Sequence, residues 1–175
     1  MAKLPISPRL ARMMLEAVEW DCVSQIALVA AMISERDPFL RNTRKNAGAR
    51  RWNCDVTQRY FALLDYLEAG KHESPFGEVH RGAARSIVRV AEQLSAQLGL
   101  DWSLPARTEV TEEHVQRALL SAFPDRVAKR RKPQDAKGRM VGGRGVRLLP
   151  DSGVRESEYF ICADVDAGKT EAQVR

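Results

Sequence analysis

Apolar residues recur at intervals of three and four along the first two thirds of the chain and then gather into short, glycine-punctuated runs, a change of period from helix to strand. Ser7-Pro8 reads as an N-cap followed by proline at the first helical position, where its missing amide costs nothing. Leu10, Met13, Met14, Ala17 and Val18 then hold one side of a first helix, with Arg9, Arg12, Glu16 and Glu19 on the other. Asp21 is placed to cap a second helix whose Val23, Ile26, Ala27, Leu28, Ala30, Ala31 and Ile33 are apolar nearly all round, which predicts a central position in a bundle. Asp55 and Gln58 have capping-box spacing ahead of Val56, Tyr60, Leu63, Leu64 and Leu67, and Gly70 closes that helix. A turn through Glu73–Gly77 leads into the longest periodic run, Val79–Leu98, ended by Gly99. Past a connector over Leu100–Arg107, Thr111 caps a helix carrying Val115, Ala118, Leu119, Ala122 and Phe123.

The switch of period falls on Ala122–Lys132, AFPDRVAKRRK, where Pro124 ends the helix because it lacks an amide donor and crowds the previous turn. Downstream, Met140-Val141 and Val146–Leu149 flank the hairpin-turn sequence Gly142-Gly143-Arg144-Gly145, and Glu158–Val165 alternates as a third strand. The prediction is a mainly α chain, a helical bundle over residues 1–123 followed by a small, incomplete β segment over 124–175, with three or four strands and exposed edges.

Charge sharpens this picture. The net +5 of the 175 residues is segregated, because Arg36–Arg51 holds six cations and one anion and Pro124–Leu149 nine cations and two anions, while the remaining segments are net negative. Clustered Lys and Arg suit a polyanion, whose counterions they release. Arg126, Lys129, Arg130, Arg131 and Lys132 crowd five cations into seven residues, and Arg139, Arg144 and Arg147 extend the block, making these the first candidates for sequence-blind backbone contacts to nucleic acid. The segment Arg36–Arg51, with Arg44, Lys45, Arg50 and Arg51, reads either as a basic arm that orders on nucleic acid or as a solvated insertion. Arg81, Arg85 and Arg89 recur every four residues on the fourth helix, a ridge that suits a phosphate backbone or is simply its solvated face.

Other chemistry finds little support. ADVDAGKT (Ala163–Thr170) approaches a phosphate-loop pattern, yet Ala replaces the first glycine and Asp164 and Asp166 would face the phosphates; it reads as a turn at a strand end. His72, His80 and His114 are isolated, and Asp164 with Asp166 has no further ligand in view, so no metal is expected. Cys22, Cys54 and Cys162 form no CxxC pair, and Cys22 and Cys162 read as buried thiols. No Ser, Cys or Lys stands in a nucleophile motif. No apolar run reaches the length of a membrane span and Met1–Leu10 lacks a signal-peptide core, so no membrane partner is expected and the expected address is the cytoplasm.

Four stretches, LPISPRLARMMLEA (Leu4–Ala17), ALVAAMISERDPF (Ala27–Phe39), AFPDRVAKRR (Ala122–Arg131) and GGRGVRLLPDSGVRESEYFICADVDAG (Gly142–Gly168), together resemble the bacterial HrpB family of DEAH-box ATP-dependent RNA helicases, in the region after its two motor domains. The resemblance implies a ratchet-like helicase-associated bundle leading into an oligonucleotide-binding (OB) fold, with single-stranded RNA or DNA and the motor domains as partners. ATP and Mg would be bound by those motor domains and no cofactor by this chain, which has no phosphate loop in a strand-loop-helix setting and no DExH box. The chain thus reads as a fragment, binding without catalysis of its own. The family tends to carry an aromatic near Met140, absent here, which leaves base stacking at that point in question. The competing reading is a protein-interaction module whose apolar helix surface, Met13 and Met14 included, docks on the motor domains while its charge serves only solubility.

Overall fold

The computed structural model describes residues 7–40, 53–107, 109, 111–150, 152–165 and 172–174. The loop cations Arg44, Lys45, Arg50 and Arg51 lie outside these residues, as do Asp166, Lys169 and Thr170. Five α-helices are described, α1 (Pro8–Glu19), α2 (Val23–Ser34), α3 (Asp55–Ala69), α4 (Arg81–Ala96) and α5 (Glu112–Ala122). The all-round apolar α2 is central, packing along α4 and also meeting α1, α3 and α5, while α1 lies along α5. Met13, Met14, Ala17, Ile26, Leu28, Leu63, Leu64, Ile87 and Val115 are all fully buried in this bundle. Met13 and Met14 are therefore core residues, not a docking surface.

Helix ends follow the sequence in part. Ser7 Oγ accepts from Leu10 N at 3.4 Å, Thr111 Oγ1 accepts from His114 N at 3.2 Å, and Gly70 ends α3 in the left-handed region at φ 66°. Three expectations are corrected. Asp21 does not cap α2; it ends α1, at φ 50°, with Asp21 N bonding to Val18 O and Cys22 N to Ala17 O at 2.9 Å, the paired bonds of a Schellman ending. Val18 is 49% exposed, and Ala11 takes the inward position beside Leu10. Asp55 is the first residue of α3, after Cys54, and its carboxylate faces another part of the chain instead of capping.

A three-stranded antiparallel sheet has no counterpart in the sequence pattern. Its strands β1 (Phe39–Leu40), β2 (Glu73–Ser74) and β3 (Gly77–Val79) run in the order β1-β3-β2, too short for an alternating pattern to register. Val79 therefore belongs to β3, and α4 begins two residues later behind His80, whose Nδ1 accepts from Ala83 N at 3.1 Å.

After α5 a 3-10 turn over Pro124–Arg126 delivers the chain into a second sheet. Its strands β4 (Val127–Arg130), β5 (Lys137–Met140), β6 (Gly145–Leu148), β7 (Tyr159–Ile161) and β8 (Ala172–Val174) stand in the order β7-β4-β5-β6-β8. The expected β segment is present with five strands, not three or four. The β4-β5-β6 meander is antiparallel, β7 returns along β4, β8 runs parallel to β6, and an antiparallel bridge from Val165 to Val174 ties the segment after β7 to β8. Ala172–Val174 escapes sequence reading because three residues carry no readable period.

Each part has its own apolar core. Ala128, Val146, Leu148, Phe160, Cys162, Ala172 and Val174 form one cluster, while Ile161 and Ala163 of the β part pack with the cluster of the helices. On the inner face of β5, Gly138 lets the Phe160 ring come close to the backbone, for an added Cβ would stand 2.6 Å from Phe160 Cζ. Polar contacts join the two parts. Asp55 Oδ2 accepts from Ser152 Oγ and Oδ1 from Gly153 N, both at 2.6 Å. Arg9 donates to both carboxylate oxygens of Asp125, at 2.5 and 2.8 Å, and to Ala122 O at 3.2 Å.

Two predictions test this frame. Replacing Asp21 by Gly removes side-chain strain at a left-handed position and stabilises the chain by about 1 kcal/mol, read from urea unfolding midpoints. The hydrogen bonds from Arg9 hold the Asp125 carboxyl down to about 2, below its unfolded value, so its contribution is complete above about pH 4 and fades as pH falls towards 2. The pair is half-exposed and screened, worth at most about 1 kcal/mol. The gap between the melting temperatures of the native chain and Arg9→Gln should therefore narrow over that acidic window; a gap that stays constant would show that the pair contributes nothing through charge.

Candidate nucleic-acid interface

Alternation on the second sheet sends Ala128, Gly138, Val146 and Phe160 inward and turns their neighbours out. Register then decides which outward side chains meet. Lys129 pairs across to Arg139 on one side and to Tyr159 on the other, and Lys137 pairs with Arg147. Arg131 joins the second row through its amide, which donates to Lys137 O at 3.0 Å. The outer face thus carries two cross-strand rows, Tyr159-Lys129-Arg139 and Arg131-Lys137-Arg147, with Arg144 exposed in the β5-β6 turn and Lys132 exposed beyond β4.

Lys129 Nζ lies 3.1 Å from Glu158 Oε1 and 5.6 Å from the centre of the Tyr159 ring; the bond to Glu158 and the neighbouring Tyr159 raise the Lys129 pKa and keep the amine charged. Arg139 Nε bonds to Gly143 O at 3.2 Å, which folds its guanidinium over the turn. Tyr159 is 54% exposed, an aromatic face among cations. Sequence reasoning missed Lys137 and Tyr159 because only register places them beside Arg147 and Lys129. The alternation of Tyr159 against Phe160 was the available signal.

Arg130 is a correction. It stands on the inner side of β4, is 5% exposed, and spreads its guanidinium over three carbonyls, Ser157 O at 2.9 Å, Val154 O at 3.0 Å and Asp135 O, with the Phe160 ring 5.3 Å away. Strand alternation separates it from Lys129 and Arg131, and its charge is spent on fastening the 152–158 connection to the sheet, out of reach of a phosphate. Arg126 is also largely occupied, by Ala163 O and by the Phe123 ring at 5.2 Å.

Arg81, Arg85 and Arg89 are exposed on α4, remote in sequence from the sheet, and line a cleft with Tyr66, His72 and Glu92. Cys22, Cys54 and Cys162 are free thiols, and burial pushes Cys22 up to about 11 and Cys162 to about 12. Among the described residues no three His, Cys, Asp or Glu side chains gather as metal ligands, and no helix is long and apolar enough to cross a membrane.

Comparison with known proteins places this geometry. Residues 7–93 match the family described as "Helicase associated domain (HA2), ratchet-like". An ATP-dependent RNA helicase HrpA homolog from Haemophilus influenzae is 28% identical over 138 residues, a match covering 70% of this chain and 11% of that protein. The crystal structure of the E. coli DExH-box NTPase HrpB superposes with a TM-score of 0.58 at 20% identity, covering 96% of this chain and 16% of that one. The chain spans only about a tenth of the helicase relative, and the HrpB superposition shows a shared fold running through both the helical and the β part.

Arg130→Ala removes the donor for three carbonyls and opens space beside Phe160, and it should lower stability by about 2–4 kcal/mol in urea unfolding. Lys132→Ala, at an exposed position, should change stability by less than about 0.5 kcal/mol.

Proposed function

Residues 7–93 belong to the ratchet-like helicase-associated family, and on that premise we propose that this chain is the accessory region of an HrpA/HrpB-like helicase that guides single-stranded RNA or DNA by contacts to its backbone. The observation that carries the reading is the pair of cross-strand cation rows with exposed Tyr159 on one face of the second sheet. The five-strand order with its parallel β6-β8 pair and the Val165–Val174 bridge favours an OB-type barrel as the carrier, and the presence of two apolar clusters favours two domains meeting near residue 123. Lys129, Arg131, Lys132, Lys137, Arg139, Arg144 and Arg147 act as phosphate contacts without sequence preference, and Tyr159 offers a stacking surface that any base satisfies. Arg126 lies at the edge of this face. The chain itself performs no chemistry; ATP and Mg are bound by motor domains of the whole protein, a cytoplasmic ATP-dependent helicase.

A second reading has one observation behind it. Leu15, Val18, Trp20 and Leu120 are each at least 42% exposed on the α1 and α5 helices and the turn after α1, an apolar surface suited to docking on motor domains. The two readings are compatible in one protein and differ in what the isolated chain binds.

Fluorescence anisotropy with a labelled single-stranded RNA over a salt series tests the first. Log affinity should fall linearly with log salt, and replacing Arg131, Arg139 and Arg147 by Ala should flatten the slope by about 0.7 for each phosphate that is no longer neutralised. Tyr159→Ala should weaken binding by about 1–3 kcal/mol with the slope unchanged. A native slope that these substitutions leave intact would overturn the sheet face as the interface.

A further inference from the structure

The fourth helix opens against its own electrostatics. The positive end of a helix dipole favours Asp or Glu in the first turn, yet α4 has no acidic residue there and starts with Arg81, followed at one-turn intervals by Arg85 and Arg89. All three are exposed or half-exposed, and none has a carboxylate partner within ion-pair distance among the described residues. Contrast Arg9, Arg59, Arg107 and Arg117 of the bundle, each of which meets an Asp or Glu. Like charges one helical turn apart repel, so this ridge costs stability in the free chain.

The ridge also has a wall. Tyr66 and His72 line the same cleft of about 690 Å³, their rings 5.1 Å apart and edge to face, and Arg81 Nη2 stands 3.5 Å from His72 Nε2. Glu92 closes the far end. Three guanidinium side chains thus line one concave surface along the flank of α4, and successive arginines are offset by about 6 Å along the axis. That arrangement suits a linear run of phosphate groups, each met by a planar donor fork.

We propose that the α4 cleft is a binding site for a chain of phosphate groups, separate from the sheet face and assembled from Arg81, Arg85 and Arg89. The phosphates can come from a free oligophosphate or from a nucleic-acid backbone, and the probes below distinguish these sources. Bound phosphate neutralises the like charges that repel one another along α4.

The test is isothermal titration of the whole chain with tripolyphosphate at low salt. Native chain should bind, Arg85→Gln/Arg89→Gln should lose at least about tenfold in affinity, as expected for two charge-assisted contacts, and Arg139→Gln/Arg147→Gln on the sheet should bind as the native chain does. Arg81→Glu should raise the melting temperature by about 1–4 °C through the helix dipole while weakening tripolyphosphate binding. Absence of binding, equal binding by the α4 variant, or loss of binding in the sheet variant alone would overturn the site, as would a fall in melting temperature for Arg81→Glu. Failure of the sheet variant to alter RNA binding would count against the proposed function and leave this site standing. An abasic deoxyribose-phosphate oligomer that displaces tripolyphosphate assigns the cleft to nucleic-acid backbone; an oligomer that does not displace it assigns the cleft to a free oligophosphate, and both results support the phosphate chemistry.

Discussion

Two apolar cores in one chain are held in a fixed relation where they meet, by Ile161 and Ala163 of the β part packing against the helical core and by hydrogen-bonded charge across the joint. Asp55 supplies the strongest case. Its carboxylate sits in the first turn of α3, where the helix dipole favours it, and both oxygens accept short hydrogen bonds from the buried Ser152 and Gly153. A partly buried carboxylate left without these donors would be costly, so the connection before β7 is drawn to the head of α3. At the other end of the joint, Arg9 reaches across to Asp125 and stacks on Phe123, whose opposite neighbour is Arg126. The cations on the outer sheet face owe their position relative to the helices to these polar contacts and to Ile161 and Ala163 packed on the helical core.

Charge in this chain divides by what each residue faces. Lys129 and Arg131 flank Arg130 in sequence, but only the flanking pair reaches solvent, because a strand turns every second side chain inward. A buried guanidinium is stable only when its donors are answered, and three carbonyls from two loops answer this one. The same basic run therefore builds the fold with one residue and leaves the rest outward.

What could be read from the sequence follows from length of signal. The stripes of α1, α3, α4 and α5 and the caps at Ser7, Thr111 and Gly70 are local, repeated over several turns, and survive folding with little change. Asp21 and Asp55 misled because Asp serves equally well as a cap, as a left-handed helix ending and as a distant acceptor, and only tertiary placement chooses. Strands β1, β2 and β8 are two or three residues long and hold their place by pairing, which leaves no pattern to read. The basic block was legible as charge. Its division between Arg130 and the outer rows was not, since that depends on register, and Tyr159 joined the face for the same reason.

The bridge from Val165 to Val174 has a kinetic meaning. The β4-β5-β6 meander is built from neighbours in sequence and can form as soon as its turns close, whereas β8 must find β6 in parallel register from far along the chain, and β7 must reach back to β4. Loop-closure entropy must be met before those distant pairings give anything back. The outer rows of cations on β4, β5 and β6 are thus displayed by the part of the sheet with the most local pairings, and the seam depends on the most distant ones.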